Sequence, residues 1–155
     1  MTRRLWWLWW PVLSVALAVV LTGCGSHSES DDAHHEIDAG ADTSVCVADA
    51  KPISSYPARF PQEFPFPPRT VVYHAEDRGA DGVIVSGVTL LPFKQVLAAL
   101  NGPAQRAGFK VTNGETESHD AEANWTGNGF HGRWAIRESA TCPRQTVVQV
   151  LAAPK

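Results

Sequence analysis

The chain divides into three stretches by the arrangement of its apolar and polar positions. Residues 5–21 are predominantly apolar, residues 25–45 are polar and acidic, and residues 46–155 carry short apolar runs separated by turn residues. Apolar positions that alternate are typical of strands, and apolar positions spaced by three and four are typical of helices. The third stretch therefore predicts a folded domain, and its length suits one domain with a single modest core.

The domain begins with a proline-rich segment, residues 46–69, called the strap here. Because proline fixes φ and lacks an amide donor, this segment should be extended and not a helix or a central strand. Its aromatic side chains are expected to pack along the domain; an alternative is a ligand strip for a proline-recognition partner. The residues concerned are Pro52, Tyr56, Pro57, Phe60, Pro61, Phe64, Pro65, Phe66, Pro67 and Pro68.

Six further runs are predicted as strands, from β-branched and aromatic residues or from the turn signals that flank them. The predicted strands are 70–76, 82–91, 109–112, 121–125, 130–138 and 145–152. The first two flank the turn sequence 77–81 and predict a hairpin, and the pair Asn128-Gly129 predicts a second hairpin. The polar run 113–120 is expected to be a turn with its flanks.

Helical spacing occurs once, after the first hairpin. Pro92 suits the first position of a helix, and apolar residues recur every three or four positions as far as Ala107. Gly102 and Pro103 fall inside this pattern, so we expect a break there and an end at Gly108. The fold class predicted is α+β: an antiparallel sheet, ββα followed by a strand meander, with one main helix packed on one face.

Strand 130–138 has an apolar side and a basic side. Alternating residues of a strand point to opposite faces of the sheet. The apolar set is Phe130, Trp134 and Ile136, and the other set is His131, Arg133 and Arg137. We therefore expect one buried face and one solvated basic face.

The N-terminus has the parts of an export signal in their usual order. Two arginines precede the apolar run 5–21, and a small residue precedes Cys24. The sequence Leu21-Thr22-Gly23-Cys24 resembles the lipobox of bacterial lipoproteins. An uncleaved transmembrane anchor is the alternative, but a run of 17 residues interrupted by Pro11 lies at the short limit for spanning a bilayer.

The lipobox resemblance implies cleavage after Gly23 and acylation of Cys24. Residues 1–23 would be the signal peptide, and residues 24–45 would be an acidic tether. The membrane is then a partner through a covalent diacylglycerol and an N-acyl chain, since a single acyl chain holds only marginally. The implied location is the extracytoplasmic face of the cell membrane.

The whole organisation also resembles the small secreted lipoproteins of high-GC Gram-positive bacteria. The likeness lies in the order of signal, tether, strap and small domain, and in the sequence Gly129-Phe130-His131-Gly132-Arg133-Trp134. It implies an anchored domain without implying an activity.

The three cysteines form an odd count, which acylation of Cys24 would resolve. Cys46 and Cys142 would then be a single pair in an oxidising compartment, where a disulfide is the expected state. Two free thiols or a metal pair are the alternative, although the short CxxC spacing usual in zinc sites is missing.

The acidity of the chain belongs to the tether. Residues 25–45 contain six acids and no Lys or Arg, whereas residues 46–155 contain 11 basic and 10 acidic side chains. A polar, charged segment with few large apolar residues is expected to be a disordered spacer. His27, His34 and His35 lie among its carboxylates, so weak binding of a transition metal is an alternative use. The near-neutral domain does not suggest a nucleic-acid partner.

No catalytic motif occurs, and no cofactor or metal site is assigned. Ser86 lacks the first glycine of a nucleophile elbow and falls in a predicted strand. The remaining acid–base candidates are His74, His119, Asp120, His131 and Glu138. The leading hypothesis is a non-catalytic binding or interaction module of unknown envelope protein or small ligand. The alternatives are a small envelope hydrolase using His119, Asp120 or His131, and a metal-binding lipoprotein.

Trp125, Trp134 and Phe130 have two possible roles. They could line a platform for a small molecule or glycan, with nearby glycines allowing close approach. Large aromatic side chains dominate burial in a small domain, so we expect them in the core.

Overall fold

Six antiparallel strands form one sheet in residues 45–155, the part of the chain that the computed structural model describes. The strands are β1 (Val71–Asp77), β2 (Val83–Thr89), β3 (Lys110–Thr116), β4 (Asp120–Gly127), β5 (Phe130–Glu138) and β6 (Thr146–Pro154). Their order across the sheet is β1-β2-β6-β5-β4-β3. The last strand therefore joins the N-terminal hairpin to the meander. The predicted signal peptide and all but the last residue of the predicted tether lie outside the described residues.

The helical region is broken where the sequence predicted. Helix α1 (Phe93–Asn101) follows Pro92, and the four-residue α2 (Pro103–Arg106) follows the break. Gly108 has a φ of 94°, a left-handed conformation that ends the segment and leads into β3. The α+β class, the antiparallel sheet and the main helix on one face are confirmed.

Strand β3 is longer than predicted, and the prediction of a turn over residues 113–120 is wrong for its first half. Asn113 to Thr116 pair with β4, after a bulge at Thr112. Asn113, Gly114 and Glu115 have low intrinsic β propensity, so the backbone pairing offered by β4 overrides local preference. The turn itself is confined to residues 117–119.

Both helices and the strap lie on one side of the sheet, called the helix face here. Phe93, Val96 and Leu100 of α1 are buried there against the strands. The strap adds an aromatic cluster: the Phe64 ring centroid lies 5.2 Å from that of Phe109 and 5.4 Å from that of Trp125. Burial of large rings such as these contributes strongly to the stability of a small core.

Gly132 in β5 is needed for the packing of Trp125. A Cβ atom at this position would lie 1.9 Å from the Leu151 carbonyl oxygen and 3.0 Å from Trp125 Cζ2. The indole of Trp125 therefore packs against the bare backbone of β5. Close approach of this kind is the usual reason for a glycine within a strand.

The Cys46–Cys142 disulfide is confirmed. It joins the start of the strap to the loop between β5 and β6 across a sequence separation of 96 residues. The strap is thus fixed at one end by a covalent bond and along its length by aromatic packing. None of the helices within residues 45–155 is long and apolar enough to cross a membrane.

Candidate functional site

The side of the sheet opposite the helices, called the second face here, carries polar side chains from every strand. The register places these polar side chains in neighbouring rows across the sheet, since residues directly opposite each other share a face. The polar residues of this face include His74, Ser86, Asn113, Glu122, Asn124, His131, Arg133 and Gln149.

A buried ion pair lies near the middle of the second face. Glu122 Oε1 accepts a hydrogen bond from Arg133 Nη2, and the two side chains are only 6% and 15% exposed. Withdrawing two charges from water is costly, and only close pairing offsets that cost. The prediction of a solvated basic face is therefore wrong at Arg133, because the Glu122 carboxylate on the neighbouring strand pairs with its guanidinium. His131 is exposed as expected, and Arg137 is half-buried.

Hydrogen bonds continue the polar surface to the edge of the sheet. Asn124 Nδ2 donates to Asn113 Oδ1 over 3.1 Å, and Thr112 Oγ1 donates to the same oxygen over 3.1 Å. These bonds link β4 to the bulged edge strand β3. They hold the amide side chains beside the ion pair in a defined orientation.

The same face has an apolar half over β2, β6 and β5. Ile84, Val88, Ala135 and Val147 are buried there, although they do not belong to the main core cluster. The second face thus combines buried apolar side chains with a fixed charge pair and oriented amides.

The structure does not bring the predicted acid–base residues together. His74 on β1 and His131 on β5 are separated by three strand spacings, about 14 Å, in addition to an offset along the strands. His119 precedes β4, whereas His131 pairs with Thr126 near the other end of that strand, about 20 Å away.

One histidine does contact a carboxylate. His119 Nδ1 lies 3.0 Å from Glu138 Oε2, but the two side chains are 70% and 53% exposed. An exposed pair of this kind contributes little to stability and is poorly shielded from water. Ser86 is buried opposite His74, without a hydrogen bond between them among the described residues. No nucleophile with its base is therefore assembled within residues 45–155.

Metal ligands are not clustered in the described part of the chain. Residues 45–155 contain no group of three His, Cys, Asp or Glu side chains able to hold a metal ion. The tether histidines His27, His34 and His35, and the acylation candidate Cys24, lie outside the described residues.

The aromatic residues belong to the core, as expected. Trp125 and Trp134 are each 2% exposed, and Phe130 packs against the same cluster. The indole N–H groups of both tryptophans have no hydrogen-bond partner among the described residues. Ring packing therefore holds these side chains, and neither indole face is available as a binding platform.

Sequence reasoning missed the ion pair, although the second hairpin contains a signal for it. A two-residue turn at Asn128-Gly129 pairs residues whose numbers sum to 257, which makes Asn124 the direct partner of Arg133. Glu122 is then the diagonal neighbour of Arg133 on the same face. Its burial could not be derived in this way, because burial depends on the more distant strands.

Comparisons of the chain with protein-family models, with curated proteins and with solved structures found no match. Function is therefore inferred from the residues and their chemistry. Two features are used for that inference: the set of three cysteines, and the Glu122–Arg133 pair on the second face.

Proposed function

We propose that this chain is a membrane-anchored extracytoplasmic lipoprotein whose domain is a non-catalytic binding or interaction module. The pairing of the cysteines is the observation that carries the proposal. Cys46 and Cys142 are bonded to each other, so Cys24, at the end of the apolar run, is the one thiol left for acylation. A disulfide is also favoured by an oxidising compartment outside the cytoplasm.

The second face is our candidate for the binding surface of the module. A buried ion pair usually contributes no more to stability than a well-packed apolar pair of the same volume. Glu122 and Arg133 are therefore not required merely to hold β4 and β5 together. A fixed charge pair beside apolar surface supports recognition of an envelope protein or a small ligand with complementary charge.

The geometry gives less support to the alternative functions. A hydrolase would need its acid–base groups in one site, and His119 and Asp120 lie about 20 Å from His131 along β4. A metal-binding role for the tether would rest on His27, His34 and His35. Titration calorimetry of the mature chain tests it: heat released with micromolar zinc or copper would favour the metal alternative.

Intact-mass analysis and detergent phase partition test the anchor. The native product is expected to begin at Cys24, to carry two or three acyl chains, and to enter the detergent phase. Cys24→Ala should leave the protein unacylated and in the aqueous phase. The control Cys46→Ala/Cys142→Ala should remain acylated, because it keeps the thiol at position 24. A product that retains residues 1–23, or an unmodified sulfur at position 24, contradicts the proposal.

Cross-linking of the acylated protein in its native membrane tests the binding surface. The wild type is expected to give a discrete cross-linked partner, and Glu122→Leu/Arg133→Met should lose it while remaining folded. A matched control is Arg59→Met/Asp77→Leu, which removes an exposed pair whose side chains are 40% and 48% accessible. Loss of the partner in both variants, or no partner in any of them, argues against a binding module acting through the second face.

A further inference from the structure

One end of the sheet gathers loops that are distant in sequence. Thr89, the last residue of β2, donates its hydroxyl hydrogen to the Pro68 carbonyl over 3.5 Å. Thr146, the first residue of β6, donates its hydroxyl hydrogen to the Leu91 carbonyl over 2.8 Å. These bonds place the end of the strap, the β2–α1 connection and the start of β6 side by side.

This end carries the one large apolar side chain that is exposed within residues 45–155. Leu90 is 62% accessible, and its neighbours Pro68 and Pro92 are exposed as well. A single exposed leucine is ordinary on a protein surface. Leu90 differs from an ordinary exposed leucine in the charged residues on the neighbouring segments.

Three cations lie on the segments that meet at this end of the sheet. Arg69, Lys94 and Arg144 are all exposed, and none of them forms an ion pair within the described part of the chain. Arg69 and Arg144 have φ values of 63° and 62°, a left-handed conformation that is unfavourable for residues with a Cβ. We call the six residues Pro68, Arg69, Leu90, Pro92, Lys94 and Arg144 the Leu90 tip.

The chain enters the domain at the same end. Cys46 is bonded to Cys142, and the backbone N–H of Val47 donates to Gln145 Oε1 over 2.8 Å, next to Arg144. The 22 residues from Cys24 to Cys46 span at most about 75 Å when fully extended. An anchor at Cys24 would therefore hold this end within about 75 Å of the bilayer, whereas the opposite end could lie about 30 Å farther away.

We propose that the Leu90 tip is the surface by which the domain contacts an anionic lipid bilayer. Leu90 enters the interfacial region, and Arg69, Lys94 and Arg144 contact lipid phosphates. This inference rests on the proposed lipid anchor and adds the orientation of the domain to it. The strands of the sheet then extend away from the membrane.

The cations at the opposite end of the sheet are too far from the tip to contact the same bilayer surface. Arg106, Lys110 and Lys155 lie near the β4–β5 turn, where the Lys155 amide donates to the Gly129 carbonyl. A nine-residue strand separates the two ends by about 30 Å. Because the Debye length in physiological salt is about 8 Å, charges at that distance are screened from the bilayer.

Depth-dependent fluorescence quenching tests the orientation. The acylated mature protein carrying Leu90→Trp is reconstituted into vesicles of phosphatidylcholine and phosphatidylglycerol that contain brominated phosphatidylcholine. Its matched control is Ala80→Trp, an exposed position in the β1–β2 loop at the opposite end. We expect at least twofold quenching for Leu90→Trp and little change for Ala80→Trp, after subtraction of the signal from the unsubstituted protein. Equal quenching at the two positions, or none at either, overturns the inference.

A charge comparison tests the lipid chemistry. Combined glutamine substitution of the tip cations, Arg69→Gln/Lys94→Gln/Arg144→Gln, should remove more than half of the quenching of Leu90→Trp. The matched triple at the far end, Arg106→Gln/Lys110→Gln/Lys155→Gln, should leave it unchanged. In vesicles of phosphatidylcholine alone, Leu90→Trp with all its cations intact should be quenched as weakly as the glutamine triple of the tip is in the mixed vesicles. Equal behaviour of the two triples would show that the tip does not recognise anionic lipid.

Intact mass separates failure of the anchor from failure of the orientation. Unacylated protein that does not float with vesicles would contradict the proposed lipoprotein and, with it, the membrane contact of the tip. Acylated protein that floats, but whose two tryptophan positions are quenched equally, would contradict only the role of the Leu90 tip.

Discussion

The two faces of the sheet differ in what lies against them and in the chemistry of their side chains. The helix face is covered by α1, α2 and the strap, and its contacts are aliphatic and aromatic. The second face has none of the described helices against it, and it contains the buried Glu122–Arg133 pair. Apolar side chains can pack against many different surfaces, whereas a fixed charge pair favours a partner with complementary charge. We therefore expect stability to depend mainly on the helix face, and the proposed recognition to depend on the second face.

The largest expected effect concerns the bond that fixes the strap over the helix face. Replacing both cysteines, Cys46→Ala/Cys142→Ala, should lower the free energy of unfolding by about 4.7 kcal/mol, because the denatured chain regains the entropy of a loop of nearly 100 residues. Urea unfolding of the oxidised wild type and the variant measures the difference. A loss below about 1 kcal/mol would mean that aromatic packing alone holds the strap in place.

A substitution within the strap measures that packing directly. Phe60 is 1% exposed, and its ring lies 5.3 Å from Tyr56 and 5.9 Å from Phe64 between centroids. Phe60→Ala should lower the free energy of unfolding by about 3–5 kcal/mol, through lost burial and the cavity left behind. The exposed apolar control Leu90→Ala should change it by less than about 0.5 kcal/mol. A small effect at Phe60 would show that the strap is not part of the core.

The ion pair provides the matching test on the second face. Glu122→Ala leaves Arg133 without its carboxylate partner and should cost about 3 kcal/mol. The double variant Glu122→Leu/Arg133→Met should recover to within about 1 kcal/mol of the wild type, because apolar groups can fill the same space. Thermal and urea unfolding of the two variants distinguish these outcomes. A double variant as unstable as the single one would mean that the second face, too, is mainly structural.

The two faces were not equally predictable from the sequence. The spacing of Phe93, Val96 and Leu100 predicted the helix, and the alternation around Trp134 predicted its strand, because both signals are local. The extension of β3 to Thr116 depends on backbone pairing with β4. The composition of residues 113–116 alone does not predict a strand. The hairpin turn sets the pairing of Glu122 with Arg133, but the burial of the pair is non-local because it depends on the more distant strands.

The cysteines were predictable for a different reason. Their pairing follows from counting: once Cys24 is assigned to acylation, only one disulfide can form. The position of the disulfide relative to Leu90 could not be obtained from the count. It depends on the insertion of β6 between β2 and β5, which brings the β5–β6 loop beside the β2–α1 connection.

The smallest expected effect is an alkaline loss of stability that originates largely on the helix face. Burial raises the pKa of Tyr56, which packs against the aromatic cluster, and of Tyr73 in β1 above the ordinary value of 10.0. Below that value both phenols are protonated in the folded and unfolded chains, so their burial contributes fully to the free energy of unfolding. Above it the unfolded chain releases its protons first, and stability falls as the pH rises through the folded pKa. Tyr56→Phe/Tyr73→Phe, which removes both tyrosines of the chain, should therefore lose less stability than the wild type between pH 9 and pH 11 in urea titrations. An identical loss in the two proteins would show that the buried phenols are not the source of the alkaline sensitivity.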